Sequence, residues 1–262
     1  MRTPLLNRMA LLLLAASLLN SCKKQTETFT TEPLDDYLPL QVGKYITYRL
    51  DSTVFVNFGK VEEIHKYQVR FVIDAEVTDN LGRPGYRVYR YISDSAGTQP
   101  WTPDQTLFIT PVSNQVELTE DNLRYIKLHL PIKDGFSWKG NHYLPTNPYG
   151  PLYSFSNDDA MGDWDFTYNG SPAATESIED QTYTDVLTVG EDDESYNVPV
   201  IDPSSYAART FSVEKYAKSI GLVYRELIMW EQQPNPTGNP PNVVYDPYRV
   251  GFGIRMWMID HN

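Results

Sequence analysis

RVGFGIRMWMI, residues 249–259, sets Val250, Phe252, Ile254, Met256 and Met258 at every second position. A period of two is the signature of a strand, because successive side chains point to opposite faces of a sheet. The same alternation runs outward from this stretch. It recurs in GLVYRELIMW (221–230), TYTDVLTV (182–189), YRVYRYI (86–92) and KYITYRLDSTVFVNF (44–58). LRYIKLHL (123–130) puts Ile126, Leu128 and Leu130 on one face, and Tyr67, Val69, Phe71 and Ile73 alternate with polar neighbours. Turn residues separate the runs, as in NLGRPG (80–85). SVEKYAK (212–218) fits either a helical turn or a strand. With 19 tyrosines and 13% aromatic residues the chain suits pleated surfaces. Strands do not alternate with helices, which disfavours a parallel sheet. The expected fold is all-β: an antiparallel curved sheet, half-barrel or sandwich, with little helix beyond the leader described below.

Two segments echo one another. LPLQVGKYITY (38–48) and LPIKDGFSWKG (130–140) share Leu-Pro, an aliphatic residue, a glycine four positions after the proline, and then an aromatic. Proline opens an extended segment without needing a donor, and glycine permits a tight bend before the strand. Eleven residues are too few to establish a duplication.

The chain carries 34 acidic against 22 basic residues, a net charge of −12. That balance excludes the basic stripe by which nucleic acid is held, so no nucleic-acid partner is expected. Only one cysteine, Cys22, is present, so no internal disulfide can form. Stability must come from a hydrophobic core, which a chain of this length can supply.

Upstream of Cys22, Arg2 and Arg8 form a basic front, and MALLLLAASLL (9–19) is an unbroken apolar run, followed by Asn20 and Ser21. This is the pattern of a secretory signal peptide, too short to span a bilayer as a helix. Leu18-Leu19-Asn20-Ser21-Cys22 resembles the lipobox of bacterial lipoproteins, with Asn20 departing from the usual residue two before the cysteine. The resemblance implies acylation of Cys22 by lipid chains such as palmitate. Two or three chains anchor firmly where one is marginal. The expected organisation is a signal peptide over 1–21, a lipidated tether over 22–36, and a single β-rich domain over 37–262, or two halves meeting near 130. Polar QTETFTTEPLDD (25–36) reads as the tether.

YLPLQVGKYITYRLD (37–51), LPIKDGFSW (130–138) and YAKSIGLVYRE (216–226) resemble landmarks of uncharacterised secreted lipoproteins of the Bacteroidota type. That group brings no activity with it. It implies a one-piece β-rich lipoprotein. Surface-exported members carry acidic residues after the cysteine, whereas Lys23 and Lys24 stand there. The expected location is therefore the outer membrane, lipid-anchored, at its periplasmic face.

Catalytic motifs are missing: no Gly-x-Ser-x-Gly, His-Glu-x-x-His, P-loop or Cys/His metal set occurs. His65, His129, His142 and His261 are scattered. NDDAMGDWD (157–165) gathers Asp158, Asp159, Asp163 and Asp165, and GEDDE (190–194) gathers four more acids. Calcium takes several closely spaced oxygens, so the first cluster is the candidate Ca2+ site, although Met161 breaks the alternation and no closing glutamate follows. The plainer alternative for both clusters is a solvated acidic loop. Tyr149, Tyr153, Phe155, Trp164 and Phe166 lie among Asn, Pro, Gly and Asp. They form either a platform for a glycan or another amphipathic ligand, or a loop pinned to the sheet by its own rings. Ser52 and Ser95, each after an aspartate, resemble the O-glycosylation acceptors of Bacteroidota-type proteins.

The resulting expectation is a non-enzymatic, membrane-anchored module binding a ligand or protein partner. One alternative is a carrier for lipids or lipoproteins with a hydrophobic half-barrel cavity. Another is a carbohydrate-active enzyme using the acidic segments.

Overall fold

The computed structural model describes residues 31–156, 161–170 and 174–262. Cys22, the leader and most of the expected tether lie outside these residues, as do Asp158 and Asp159.

The stretch quoted first becomes part of β15, Tyr248–His261. It is the central strand of an antiparallel sheet because both its neighbours can bury its alternating side chains. On one side lies β1 (Tyr45–Val56), with Leu50 opposite Met256, and on the other lies β12 (Gly221–Gln233), with Leu227 opposite Ile254. Beyond β1 the sheet continues through β2 (Val61–Thr78), β3 (Pro84–Asp94), β4 (Thr102–Val112), β5 (Gln115–Glu120) and β6 (Leu123–His129). Beyond β12 it continues through β11 (Ala207–Ala217), β10 (Gln181–Tyr196), β8 (Phe166–Tyr168) and β7 (Ser137–Trp138), while β9 (Ala174–Ile178) pairs with β10. A two-residue hairpin, β13 (Pro236–Thr237) with β14 (Val244–Tyr245), stands apart in the β12–β15 connection.

The thirteen-stranded sheet curls until its two ends meet. The amide of Ile126 in β6 donates to the Gly140 carbonyl at 2.7 Å, and the Trp138 indole N–H donates to the Ile126 carbonyl at 2.8 Å. The Tyr168 hydroxyl bridges the backbone of His129, donating to its carbonyl at 2.7 Å and accepting from its amide at 3.0 Å. Trp138 lies among Phe136, Phe166 and Tyr168, with ring centroids 6.1, 5.9 and 4.7 Å away. An aromatic seam thus does what a ladder of strand hydrogen bonds does elsewhere, and the sheet is a nearly closed barrel.

At one end, the near end, stand the start of β1 and the turns β2–β3, β4–β5 and β11–β12. The far end carries the turns β1–β2, β3–β4 and β5–β6 and the longer connections β10–β11 and β12–β15. Residues 31–44 cross the near end. Tyr37 is fully buried, the Ser219 amide donates to the Asp36 carbonyl at 2.6 Å, and Lys218 pairs with Glu32 at 2.8 Å. Residues 31–36, expected in the tether, are therefore docked on the barrel, because Leu34 and Tyr37 have core to fill. Thr31–Asn262 form one unit that holds every strand.

The two echoed segments share a backbone solution. Gly43 and Gly135 both adopt positive φ, +89° and +73°, two residues before β1 and β7. Their amides donate to the carbonyls of Ile73 and Tyr168, each at 2.8 Å. Glycine reaches that conformation without a Cβ penalty, so both prolines are followed by the same bend into a strand. SVEKYA (212–217) resolves as strand within β11, with Lys218 opening the turn that follows, and the acidic run Glu191–Glu194 belongs to β10 and not to a loop.

Candidate functional site

The interior of the barrel is largely apolar, and its main group of buried charge is a layer halfway along it, with Glu231 standing apart toward the far end of β12. Antiparallel register places Glu214 of β11 opposite Arg225 of β12, and Arg225 opposite Met256 of β15. Lys127 of β6 reaches across to Glu214 of this pair and to Glu191 of the neighbouring β10. Its ammonium lies 2.7 Å from Glu191 and 2.8 Å from Glu214. Arg225 lies 3.5 Å from Glu214 and 3.1 Å from Glu120. The Ser212 hydroxyl donates to Glu191 and the Tyr216 hydroxyl to Glu214, both at 2.5 Å. Lys127, Glu191 and Glu214 are all buried, with 4%, 6% and 1% of their surface exposed. Ions so deep are tolerated only when paired and hydrogen-bonded, and here each one is.

Three carboxylates, Glu120, Glu191 and Glu214, face two cations in this layer, Lys127 and Arg225. Arg90 also approaches Glu120 at 3.7 Å, but it is shared with Asp104 at 2.5 Å. The imbalance shows in the acidities. Burial raises the Glu191 carboxyl above the ordinary glutamate value, and Lys127 offsets this only in part, with Glu214 adding repulsion. Burial acts on Glu214 too, but Lys127 and Arg225 together hold it below the ordinary range. Burial works against the Lys127 charge, while Glu191 and Glu214 keep its pKa raised. Glu191 is thus the carboxyl of the layer whose acidity is weakened, by burial first and by Glu214 second.

That assignment has a measurable consequence. A carboxylate whose folded pKa is raised stabilises the fold below its unfolded pKa, and the contribution is lost as pH rises through the folded value. Glu191→Gln removes the titration while keeping the side-chain shape. Relative to wild type, its melting temperature is expected to climb by about 2–4 °C between pH 4.5 and pH 8. A difference that stays constant over this range would mean that Glu191 is ionised throughout.

On the near side of the charge layer is a cavity of about 120 Å3. Tyr48, Phe71, Ile73, Leu107, Leu222 and Met256 are among its walls, Lys127, Glu214 and Arg225 are at its floor, and Leu38, Pro39 and Lys44 of the N-terminal segment roof it. On the far side, Arg225 also lines a vestibule of about 360 Å3 with Arg90, Glu120, Tyr125, Tyr149 and Phe252. The charge layer therefore divides the interior into an apolar chamber and a more polar mouth.

The aromatic segment singled out in the sequence plugs that mouth and contributes to the seam. Tyr149 and Tyr153 pack on Phe252, each with ring centroids 5.1 Å apart, and Phe155 meets Tyr153 at 5.7 Å. Ser156 donates from its amide to Glu231 at 2.8 Å. Trp164 and Phe166 are buried in the core cluster. These rings spend their area on the protein itself, so the five do not form one outward platform.

The described members of the two acidic clusters come together. Asp163 and Asp165 line an outer groove of about 660 Å3 with Asp192, Asp193 and Glu194, where β8 diverges from β10 beside a bulge between Gly190 and Asp192. Lys139 pairs with Asp165 at 3.0 Å and Arg209 with Asp193 at 2.5 Å. No three His, Cys, Asp or Glu side chains among the described residues converge as a metal cage. Ser52 sits within β1 between β2 and β15, opposite His65 and Ile254. Ser95 lies in the β3–β4 turn, where its carbonyl accepts from Arg49 and Gln68. Its neighbour Asp94 is drawn down to about 2 by the Gln99 amide and the Thr98 hydroxyl and amide.

Sequence reasoning missed Lys127, Glu191, Glu214 and Arg225 as a group. The available signal was a charged residue in line with buried positions: Lys127 shares a strand face with Tyr125, and Glu214 with Ser212 and Tyr216. No known protein family and no curated protein matches the chain.

Proposed function

We propose that the chain is a lipid-anchored protein of the cell envelope, held through acylated Cys22 at the periplasmic face of the outer membrane. Its barrel binds an apolar or amphipathic small molecule without transforming it. The observation that carries the binding role is the apolar chamber above a hydrogen-bonded charge layer. A chamber of about 120 Å3 is close in size to cavities that stay dry and accept a small apolar ring, and it suits the tip of a hydrocarbon chain. Its floor of ions would hold such a group at fixed depth, since an apolar tail gains nothing by displacing paired charges.

The anchor reading is supported by the lipobox-like stretch and by where the chain leaves the barrel. Thr31 sits at the near end, its hydroxyl accepting from the Ile132 amide at 2.8 Å. The nine residues from there to Cys22 reach at most about 30 Å, which keeps the barrel close to its membrane. The carrier alternative uses the same chamber and adds release. The roof over residues 38–44 is the segment that would have to move.

Native mass spectrometry on the chain without residues 1–22 tests the binding role. The expected result is a retained hydrocarbon-bearing mass, or uptake of added decanoate. Leu107→Trp, which fills the chamber, should abolish both. A clean mass with no uptake by the wild type would end this reading.

A further inference from the structure

The bend at Gly43 brings Lys44 to the entry of β1, in step with Ile46 and Tyr48 at every second position. A period of two puts these three on one face, and all three line the apolar chamber. The charged side chains that touch the chamber are Lys44, Lys127, Glu214 and Arg225. The last three are tied together in the charge layer at its floor. Lys44 stands at the other end, in the roof. Its backbone is held to β2, where the Ile73 amide donates to the Lys44 carbonyl at 2.9 Å. Its ammonium reaches the β11–β12 turn and donates to the Ser219 carbonyl at 3.1 Å. Among the described residues that neutral acceptor is its one polar partner. The carboxylates of this end are engaged elsewhere. Glu32 and Asp36 pair with Lys218 at 2.8 and 3.2 Å, and Asp260 accepts from the Tyr45 hydroxyl at 3.0 Å.

We propose that the ligand of this chamber is an alkyl chain ending in a single carboxylate, a fatty acid, with its tail inserted toward the charge layer and its carboxylate paired with the Lys44 ammonium. The inference rests on the binding role proposed above and names the ligand class of the same chamber. An ammonium has three donors, and Ser219 takes one of them, which leaves two for an anion. Burial lowers the Lys44 pKa, and no neighbouring carboxylate offsets it. A partly desolvated cation with no counter-charge gains from an incoming carboxylate, because a hydrogen bond between two ions is roughly twice as strong as a neutral one. The floor sets the orientation. Its layer holds three carboxylates against two cations, so no cation is left there for an anionic head. The roof, by contrast, carries one unmatched positive charge. A single charge matches a monoanion. A phosphate ester with two charges would leave one uncompensated near Glu32 and Asp36, which are already held by Lys218.

The experiment is isothermal titration calorimetry near neutral pH with ligands that share one tail: octanoate, 1-octanol, octyl phosphate and octylammonium. On the chain without residues 1–22, octanoate should bind about tenfold or more tighter than 1-octanol. Octyl phosphate and octylammonium should both bind more weakly than octanoate. Lys44→Met keeps the apolar stem and removes the charge, and it should bring octanoate down to the affinity of 1-octanol. Lys44→Arg should keep the preference for octanoate. Lys60→Met, at the far end where Lys60 pairs with Asp246 at 2.6 Å, should leave that preference unchanged. Thermal melts confirm that the variants are folded, and the wild-type series decides the head group even if Lys44→Met is not. Equal affinities for octanoate and 1-octanol, tighter binding of octyl phosphate or octylammonium, or a preference that survives Lys44→Met would overturn the carboxylate assignment while leaving the chamber a binding site. Failure of all the ligands to bind would overturn the assignment together with the binding role.

Discussion

Lys127→Met is expected to destabilise the barrel by about 3–5 kcal/mol, the cost of stranding buried charge when one partner of an ion cluster is removed. Methionine fills nearly the same space, so packing is conserved and the effect isolates the charge. The ammonium is 2.7 Å from Glu191 and 2.8 Å from Glu214, and neither carboxylate has water to fall back on. Glu214 retains Arg225 at 3.5 Å and the Tyr216 hydroxyl, while Glu191 retains only the Ser212 hydroxyl. Glu191 should therefore protonate fully in the variant, and the loss should be smaller at pH 5 than at pH 8. Adding Glu191→Gln to Lys127→Met should recover a large part of the loss. Denaturant unfolding followed by tryptophan fluorescence reads all three chains. A loss below about 1 kcal/mol in Lys127→Met, the range of an exposed pair, would mean that the layer is wet.

The same layer explains what could and could not be read in the sequence. β15 declares itself because its inward positions are apolar, and so do β1 and β3; β12 does so through Val223, Leu227 and Met229, although Arg225 shares their face. β11 does not, because Thr210, Ser212 and Glu214 are its inward residues, and a polar inner face looks like an outer one. The first half of β10 is legible as TYTDVLTV, but its second half is obscured in the same way: Glu191 turns inward while Asp192, Asp193 and Glu194 continue the strand past the bulge, and a run of acids reads as a loop. β4 is masked by Pro103 and Pro111, which flank its inward Leu107 and Ile109. Long-range pairing decided each of these strands. Local pattern cannot show that Lys127 meets Glu191, 64 positions away. The aromatic segment was visible as unusual, but whether its rings faced outward or plugged the barrel depended on Phe252, far along the chain.

Trp138→Ala is expected to cost roughly 4 kcal/mol or more, from the cavity left by a buried indole and from the Ile126 carbonyl that loses its donor. The larger consequence is topological. β6 is the last strand on one side of the sheet and β7 the last on the other, and they meet through the Trp138–Ile126 and Ile126–Gly140 hydrogen bonds and the aromatic seam. Lys127 is the next residue after Ile126, so the seam also fixes the depth of the ammonium in the charge layer. Opening the seam admits water to Glu191 and Glu214. Trp138→Ala should then remove most of the effect of Lys127→Met, so that the double variant falls well short of the sum. Trp138→Phe keeps an aromatic ring while losing the N–H and part of the indole's volume, and it should cost about 1–3 kcal/mol and leave the Lys127 effect intact. Hydrogen exchange supplies the spatial readout: amides of β6 should lose protection in Trp138→Ala while those of β12 and β15 keep it. Additive losses in the double variant would show that the charge layer stays dry without the seam, and that barrel closure and ion pairing are separate properties of the fold.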